Sequence, residues 1–212
     1  MQDLASPLMP DHSARISVLR VASPLGDLVI ASAETGVCAL AFDDRAEALE
    51  PRLRRSFGHF FHVAPGDPLK VAPRLAAYFR GDLEALVDLP LAITPTPMQR
   101  RVWDLVRALR PGQLTTYAAI SERIGMPRAQ RAVGVCLASN PLPLFIPCHR
   151  VVAASGGMGS HPGGLLRKHW LLSHEGVLDA QKLGIARHVR RRLDVRDRSL
   201  AEHDDLLLIE AT

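Results

Sequence analysis

Residues 117–139, YAAISERIGMPRAQRAVGVCLAS, decide the fold of the second half of this chain. The stretch contains two short segments with helical patterning, about 117–124 and 128–139, joined across Gly125-Met126-Pro127. Because glycine allows a tight turn and proline favours the start of a new element, the pattern predicts a helix-turn-helix. Helix pairs with a glycine turn also occur in structural bundles, so a packing role for the pair stays open at this point.

The second helix of this pair is small and apolar in its middle, where it reads Ala132-Val133-Gly134-Val135. Helices that read base edges usually carry Arg, Asn or Gln on their exposed face. Glycine and alanine instead let a helix approach a surface closely. The sequence therefore predicts contact with DNA that depends little on base sequence.

Prolines separate this half of the chain from the first half, with three of them in residues 89–97. Thr96 as N-cap, Pro97 at the first helical position and Gln99 two residues later form a capping-box pattern, which predicts a helix start. The expected organisation is an N-terminal extension at 1–14, a first domain at 15–90, a second domain at 95–178 and a C-terminal tail at 179–212.

The first half has the pattern of a small α+β scaffold domain. Residues 15–42 alternate in hydrophobicity and turn at Pro24-Leu25-Gly26-Asp27 and at Glu34-Thr35-Gly36, which predicts three antiparallel strands. Helical spacing follows at about 47–57 and 72–79, so we expect helices to cover one face of the sheet. No catalytic constellation stands out in this half.

The strongest chemical signal is Pro147-Cys148-His149-Arg150-Val151-Val152, which follows the apolar run 144–146. Apolar flanks predict that the thiol lies at the floor of a pocket. A cysteine attacks as the thiolate, and a nearby imidazole commonly generates one. Neighbours in an extended segment point to opposite faces, so we expect a relay between Cys148 and His149 rather than direct contact. A buried structural cysteine is the alternative.

Composition excludes several classes of protein. The 212 residues carry a net charge of +4 and a pI of about 9.3, compatible with an anionic partner. The cysteines, Cys38, Cys136 and Cys148, are too widely spaced for a metal site or a disulfide framework, so no metal is expected. We find no signal peptide and no membrane span, and the cytoplasm is the default location.

The segment after Val152 is rich in glycine but lacks the order of a nucleotide-binding loop, so a flexible pocket wall is the better interpretation. A last helix is predicted at about 165–174. Glu175 then stands at its C-terminal end, where the helix dipole disfavours an anion. Either a nearby imidazole compensates this carboxylate or it is simply solvated. The tail beyond 179 is either a helix that packs back or an extension without fixed structure.

With these motifs in hand, the chain resembles the O6-alkylguanine-DNA alkyltransferases, also called methylated-DNA–protein-cysteine methyltransferases, over about residues 18–176. The second half carries the similarity, in the following order: Thr96-Pro97 to Val102-Trp103, Gly112-Gln113 with Thr116-Tyr117, Arg131 to Gly134, Asn140-Pro141, Ile146 to Val151, and Lys168 to Glu175-Gly176. In the first half, Ser23 to Gly26 and Ala76 to Gly81 are similar to the family's scaffold domain.

The resemblance implies a ribonuclease-H-like first domain and a winged-helix second domain that binds the minor groove of DNA. A monomer is the expected state, although the sequence itself does not give the oligomeric state. The resemblance also implies a single-turnover reaction without a cofactor, in which Cys148 keeps the alkyl group of O6-alkylguanine, with O4-alkylthymine as a further candidate substrate. His149 would act on the thiol through water, Glu175 would hold the imidazole tautomer, and Asn140 would brace the turn. The implied DNA- and base-binding residues are Thr116, Tyr117, Arg131, Ala132, Gly134, Val151, His161 and Pro162. Among these, Tyr117 would help rotate the nucleotide and Arg131 would fill its place.

The segment Ser160-His161-Pro162 departs from the family pattern, which commonly has tyrosine at the position of His161. Pro162 offers no backbone N–H to the guanine oxygen. His161 would then supply a donor, particularly when protonated at mildly acidic pH. Alternatively, Gly159 or Gly163 provides the missing N–H.

Two other classes of function compete with alkyl transfer. A lesion sensor or helix-turn-helix regulator would bind DNA without reacting, and Cys148 argues against it. A cysteine hydrolase using Cys148, His149 and Glu175 would turn over many times.

Overall fold

The structure of the protein is a computed structural model that describes residues 14–57 and 61–177. The predicted tail and the predicted extension before Ala14 lie outside these residues. A sheet comes first in the chain, followed by a group of helices. The strands of the sheet are β1 (Ala14–Val21), β2 (Leu28–Ala33), β3 (Gly36–Phe42) and β4 (Phe61–Pro65).

The sheet is mixed and has four strands in the order β3-β2-β1-β4, whereas the sequence predicted three antiparallel strands. The predicted strands β1, β2 and β3 do pair antiparallel. β4 was missed, and it pairs in parallel with β1, with Ile16 opposite Val63. A parallel neighbour needs a crossover connection, and the helical segment between β3 and β4 supplies it. Five residues with a terminal proline gave too weak a strand pattern to detect that pairing.

The crossover and the helix after it lie close to their predicted positions. A 3-10 turn at Asp43–Ala48 precedes α1 (Leu49–Phe57), so the α-helix begins two residues later than the predicted start at 47. α2 (Val71–Phe79) begins one residue before its prediction. α2 buries Val71, Leu75 and Tyr78, which share one face at helical spacing.

The second half begins with α3 (Pro97–Arg107), whose capping box is formed as predicted. The Thr96 hydroxyl accepts from the Gln99 N–H at 3.3 Å, and the Gln99 side-chain oxygen accepts from the Thr96 N–H at 2.9 Å. These bonds satisfy two N–H groups at the helix start that would otherwise lack partners. The remaining helices are α4 (Tyr117–Arg123), α5 (Gln130–Ala138) and α6 (Leu165–His174).

α4 and α5 form the predicted helix pair across the turn at Gly125, whose φ of 73° is the left-handed conformation that glycine favours. α3 packs on α5, and the indole of Trp103 donates to the carbonyl of Cys136 at 2.9 Å. A short parallel pair, β5 (Thr115–Thr116) with β6 (Val151–Val152), connects this helix pair to the segment that holds the cysteine.

The two halves of the chain share one apolar core. Buried side chains from the sheet, such as Leu28 and Leu40, belong to the same cluster as Val102 and Leu171 from the helices. Backbone bonds join the halves too, because the Leu40 N–H donates to the carbonyl of Pro141 at 2.8 Å. In the described part of the chain, no helix is long and apolar enough to cross a membrane.

Candidate active site

Cys148 begins a 3-10 turn, Cys148–Arg150, between Pro147 and strand β6. The sequence interpretation of an extended segment is therefore wrong at this point. The Arg150 N–H closes the turn by donating to the carbonyl of Pro147 at 3.0 Å, and the Cys148 N–H donates to the carbonyl of Ile146 at 2.7 Å. The thiol is buried, with the residue 3% exposed. This burial agrees with the apolar flanks, and a pocket above the thiol stays a prediction.

Asn140 holds the segment that carries the thiol. Its side-chain amide donates to the carbonyl of Ile146 at 2.8 Å and to Cys148 Sγ at 3.2 Å. Its side-chain oxygen accepts from the Leu142 N–H at 2.9 Å. One fully buried side chain thus fixes both ends of the stretch 140–148 and contacts the sulfur directly.

His149 and Glu175 meet at the C-terminal end of α6. His149 Nε2 lies 2.9 Å from Glu175 Oε1, and both side chains are buried. A carboxylate only accepts, so Nε2 carries the proton and Nδ1 is left as a bare acceptor. Burial lowers the pKa of His149, so the imidazole is neutral. Nδ1 is buried, and no described group hydrogen-bonds to it.

Glu175 is held by three other side-chain contacts besides His149. Arg150 donates from Nε to Oε2 at 2.9 Å and from Nη2 to Oε1 at 2.7 Å, and the Tyr78 hydroxyl donates to Oε1 at 2.8 Å. Burial alone would raise the pKa of Glu175, but hydrogen bonds from His149 and Arg150, together with the charge of Arg150, outweigh it and lower the pKa. These donors stabilise an anion that the end of α6 would disfavour.

The thiol itself is not a preformed thiolate. Burial raises the pKa of Cys148 to about 11, and the Asn140 hydrogen bond and the charge of Lys168 only partly oppose this. Lys168 is fully buried, and its Nζ donates to the carbonyl of Val151 at 2.5 Å. Burial lowers the pKa of Lys168 to about 8. The site therefore needs a base to ionise the thiol near neutrality.

Lys168, Arg150 and Tyr78 are functional candidates to which the sequence analysis assigned no role. Lys168 had a detectable signal, because it stands on the face of α6 that also carries the buried Leu171 and Leu172. The signal for Arg150 was weaker, because it was only that of a charged residue inside an apolar block of sequence. Tyr78 had none, since 97 residues separate it from its partner Glu175.

The residues predicted to contact DNA fall into two groups. Arg131 is exposed in the first turn of α5, and Ala132, Gly134 and Tyr117 are partly exposed. Val135 of α5 is 65% exposed, although it is apolar. The other group consists of a partly exposed helix cap and a buried valine. Thr116 caps α4 through its hydroxyl, which accepts from the Ala119 N–H at 3.1 Å, and Val151 is completely buried beneath the site.

The segment of His161 and Pro162 lies beside the His149 side chain. The two imidazole rings are edge to face with centroids 6.4 Å apart. The Gly163 N–H donates to His161 Nδ1 at 3.0 Å, so this N–H is not available to a base. Burial lowers the pKa of His161 well below 6.5, which contradicts the expectation of a protonated donor at mildly acidic pH. The ring is neutral, with its proton on Nε2.

No group of His, Cys, Asp or Glu side chains in residues 14–57 and 61–177 is arranged to hold a metal ion. The site brings together one thiol, one neutral imidazole and a buried ion pair.

A helix-turn-helix next to a buried cysteine, histidine and glutamate defines a DNA-binding protein with an activatable thiol. Residues 97–177 match the family described as 6-O-methylguanine DNA methyltransferase, DNA binding domain. The methylated-DNA–protein-cysteine methyltransferase of Salmonella typhimurium is 35% identical over 162 residues, which cover 75% of this chain and 95% of the relative. The chain belongs to the family of methylated-DNA–protein-cysteine methyltransferases.

Other members of the family agree in sequence and in structure. The human methylated-DNA–protein-cysteine methyltransferase is 33% identical over 73% of this chain and 77% of its own length. The crystal structure of the O6-methylguanine methyltransferase of Mycobacterium tuberculosis has a TM-score of 0.63 at 30% identity, covering 76% of this chain and 92% of that one. A crystal structure of the same organism's enzyme in complex with DNA has a TM-score of 0.62 at 28% identity, covering 76% and 93%.

Proposed function

We propose that this protein repairs DNA by moving the alkyl group of O6-alkylguanine onto Cys148 in a single-turnover reaction. One observation carries the proposal: a buried thiol adjoins a neutral imidazole that is tied to Glu175 through Nε2 and has a bare acceptor at Nδ1. The relatives are named for transfer from methylated DNA to a protein cysteine, and this chain has a cysteine in the matching block.

The chemistry balances without a cofactor. The thiol proton passes to His149 Nδ1, and the sulfur attacks the alkyl carbon attached to O6. A carbon–sulfur bond forms as the carbon–oxygen bond breaks, and its electron pair goes to the base. Return of the proton to the purine gives guanine and S-alkylcysteine. Regenerating the cysteine would require its thiolate to leave an unactivated alkyl carbon, which is slow in water, so the protein reacts once.

A water molecule is the proposed path for the proton between Cys148 and His149. The sulfur is already in contact with Asn140, and Nδ1 has no hydrogen-bond partner in the described part of the chain. Glu175 keeps the proton of the resting imidazole on Nε2 and stabilises the imidazolium that forms, while Arg150 and Tyr78 position the carboxylate. Asn140 and Lys168 favour the developing thiolate.

DNA is the partner, and we propose that α5 enters its minor groove. The exposed apolar Val135 and the small residues around it permit close approach without base reading. Arg131 would occupy the space of the flipped guanine, and Tyr117 would assist rotation of the nucleotide. The other proposed base or DNA contacts are His161, Pro162, Thr116, Ala132 and Gly134.

The finer structural classes are proposals as well. We assign residues 15–90 to a ribonuclease-H-like domain and residues 95–178 to a winged-helix domain, with the protein acting as a monomer. O4-alkylthymine remains a further candidate substrate. A reactive cysteine with no disulfide partner suits a reducing compartment, so we propose that the protein works in the cytoplasm.

The mass of the intact protein after mixing with duplex DNA that contains one O6-methylguanine tests the proposal. We expect the mass of one methyl group to be added, on the peptide that contains Cys148, and no addition in Cys148→Ser. Cys38 and Cys136 serve as internal controls, because the proposed reaction uses neither thiol and both should stay unmodified. DNA binding without a mass change would support a sensor, and repeated turnover without adduct would support a hydrolase.

A further inference from the structure

The loop that contains His161 is packed closely at two glycines. A Cβ added to Gly159 would lie 2.5 Å from the hydroxyl oxygen of Tyr117, and one added to Gly163 would lie 2.4 Å from the ring of Phe42. Neither position has room for a side chain. The three residues between them, Ser160 to Pro162, are therefore held between α4 on one side and the end of β3 on the other.

The hydrogen-bonding capacity of this short segment is limited. Pro162 has no N–H, and the N–H of Gly163 is consumed by His161 Nδ1. The neutral His161 ring therefore presents its proton at Nε2, which is buried and has no partner among the described residues. A buried donor without an acceptor destabilises the protein. An acceptor that arrives with the substrate would remove this destabilisation.

Arg167 of α6 contacts both the loop that contains His161 and the first half of the chain. Its Nη1 donates to the carbonyl of Gly163 at 3.1 Å and to Asp44 at 3.0 Å, and its Nε donates to the carbonyl of Leu25 at 2.8 Å. Its guanidinium also stacks on the ring of Phe42 at 4.2 Å. The side chain is only 18% exposed. One planar cation thus joins the His161 loop to the first half of the chain.

We infer that Arg167 is a positioning residue for alkyl transfer, which fixes Gly163 against the N-terminal sheet so that His161 presents its Nε2–H to the alkylated purine. This inference rests on the proposed function. It gives the N-terminal half a direct part in the reaction, because Leu25, Phe42 and Asp44 hold Arg167 in place. A loop fixed in this way also limits the alkyl groups that fit between His161 and the thiol.

Arg167→Leu tests the inference, with Arg110→Leu as the matched control. Both arginines form an ion pair with a carboxylate, but Arg110 contacts Glu84 at the exposed surface. At saturating duplex, we expect Arg167→Leu to slow transfer from O6-methylguanine about tenfold, the equivalent of one strong hydrogen bond. The preference for methyl over benzyl at O6 should fall as the loop loosens, whereas Arg110→Leu should leave both rates unchanged.

Two further measurements separate positioning from a general loss of structure. Nitrogen NMR of His161 should show the Nε2–H tautomer in the wild type and a mixture of tautomers in Arg167→Leu. In a His161→Phe background, Arg167→Leu should slow transfer little further, because Arg167 acts through His161. If Arg167→Leu fails to fold, Arg167→Lys replaces it as the test. This variant keeps the charge but loses the planar fork, so it should also slow transfer.

Equal rates for Arg167→Leu and Arg110→Leu, or additive losses in the double variant with His161→Phe, would overturn the inference. These outcomes are distinct from failure of the proposed function, in which the wild-type protein would transfer no alkyl group at all.

Discussion

Lys168 is the buried cation whose charge acts on the thiol of Cys148, in addition to the hydrogen bond from Asn140. Its charge favours the Cys148 thiolate, and the thiolate in turn favours the charged lysine. The fully buried Lys168 side chain has only one hydrogen-bond partner among the described residues, the carbonyl of Val151. Burying the Lys168 ammonium at this position lowers the stability of the fold. Its charge supports the reactivity of the thiol.

Replacement of Lys168 by methionine should raise the pKa of Cys148 further. An opposite charge near an ionisable group typically shifts its pKa by about 1–3 units, and we expect the lower end here because Asn140 remains. The measurement is the rate of Cys148 alkylation by iodoacetamide as a function of pH, with Cys38 and Cys136 replaced by alanine. Lys70→Met is the control, since it removes an exposed charge elsewhere. A profile identical in both variants would contradict the role of Lys168.

At the scale of elements, α5 combines an exposed Arg131 in its first turn with an apolar exposed face around Val135. Such a helix gains affinity for DNA from phosphate contacts and close approach rather than from base edges. Binding to undamaged duplex should therefore be weak, sensitive to salt and nearly independent of sequence.

Arg131→Ala should slow repair in duplex DNA by about tenfold and repair in single strands much less. The side chain is proposed to replace the flipped base in the stack, and a single strand loses little stacking when its base leaves. Single-turnover rates on matched duplex and single-stranded substrates measure the difference. Arg123→Ala removes an equal charge from α4 and should affect both substrates alike. A similar loss on both substrates in Arg131→Ala would rule out the role.

Elements with local signals were predicted well from the sequence. The capping box at Thr96 and the bounds of α6 depend on residues a few positions apart, and both were found as expected. β4 was missed because its partner β1 lies far back in the chain, and a parallel pairing leaves no turn to detect. The 3-10 turn at Cys148 was misread as extended, because the apolar run before it resembles a strand.

Across the whole molecule, the two halves meet at the active site rather than beside it. Tyr78 from α2 donates to Glu175 after α6, and Arg167 from α6 binds Leu25 and Asp44 in the first half. The sequence analysis found Glu175 through its position at a helix end, but it interpreted the first half only as a scaffold. Contacts between residues so far apart in the chain depend on how the two halves pack against each other. No local sequence pattern predicts that packing.

Glu175 therefore links catalysis to the stability of the whole fold. Burial would raise its pKa, but hydrogen bonds from His149 and Arg150 lower the pKa below its usual value of 4.5. A carboxyl with a lowered pKa stabilises the folded state above the unfolded value, and this contribution is lost as pH falls toward the folded one. The free energy of unfolding should thus decline below about pH 4.5.

Glu175→Gln should lower the free energy of unfolding at pH 7 by about 3–5 kcal/mol, because it leaves the Arg150 guanidinium buried without its counter-ion. The free energy of unfolding of the variant should also decline less below pH 4.5, since no carboxyl at 175 remains to be protonated. Urea unfolding between pH 3 and 7 measures both effects. Glu84→Gln is the matched control: its partner is also an arginine, at 2.7 Å, but the pair is exposed and should be worth about 1 kcal/mol or less. If the two variants lost equal stability, or if Glu175→Gln kept the full acid response, the buried ion pair of Glu175 with Arg150 would not be what links the site to the stability of the fold.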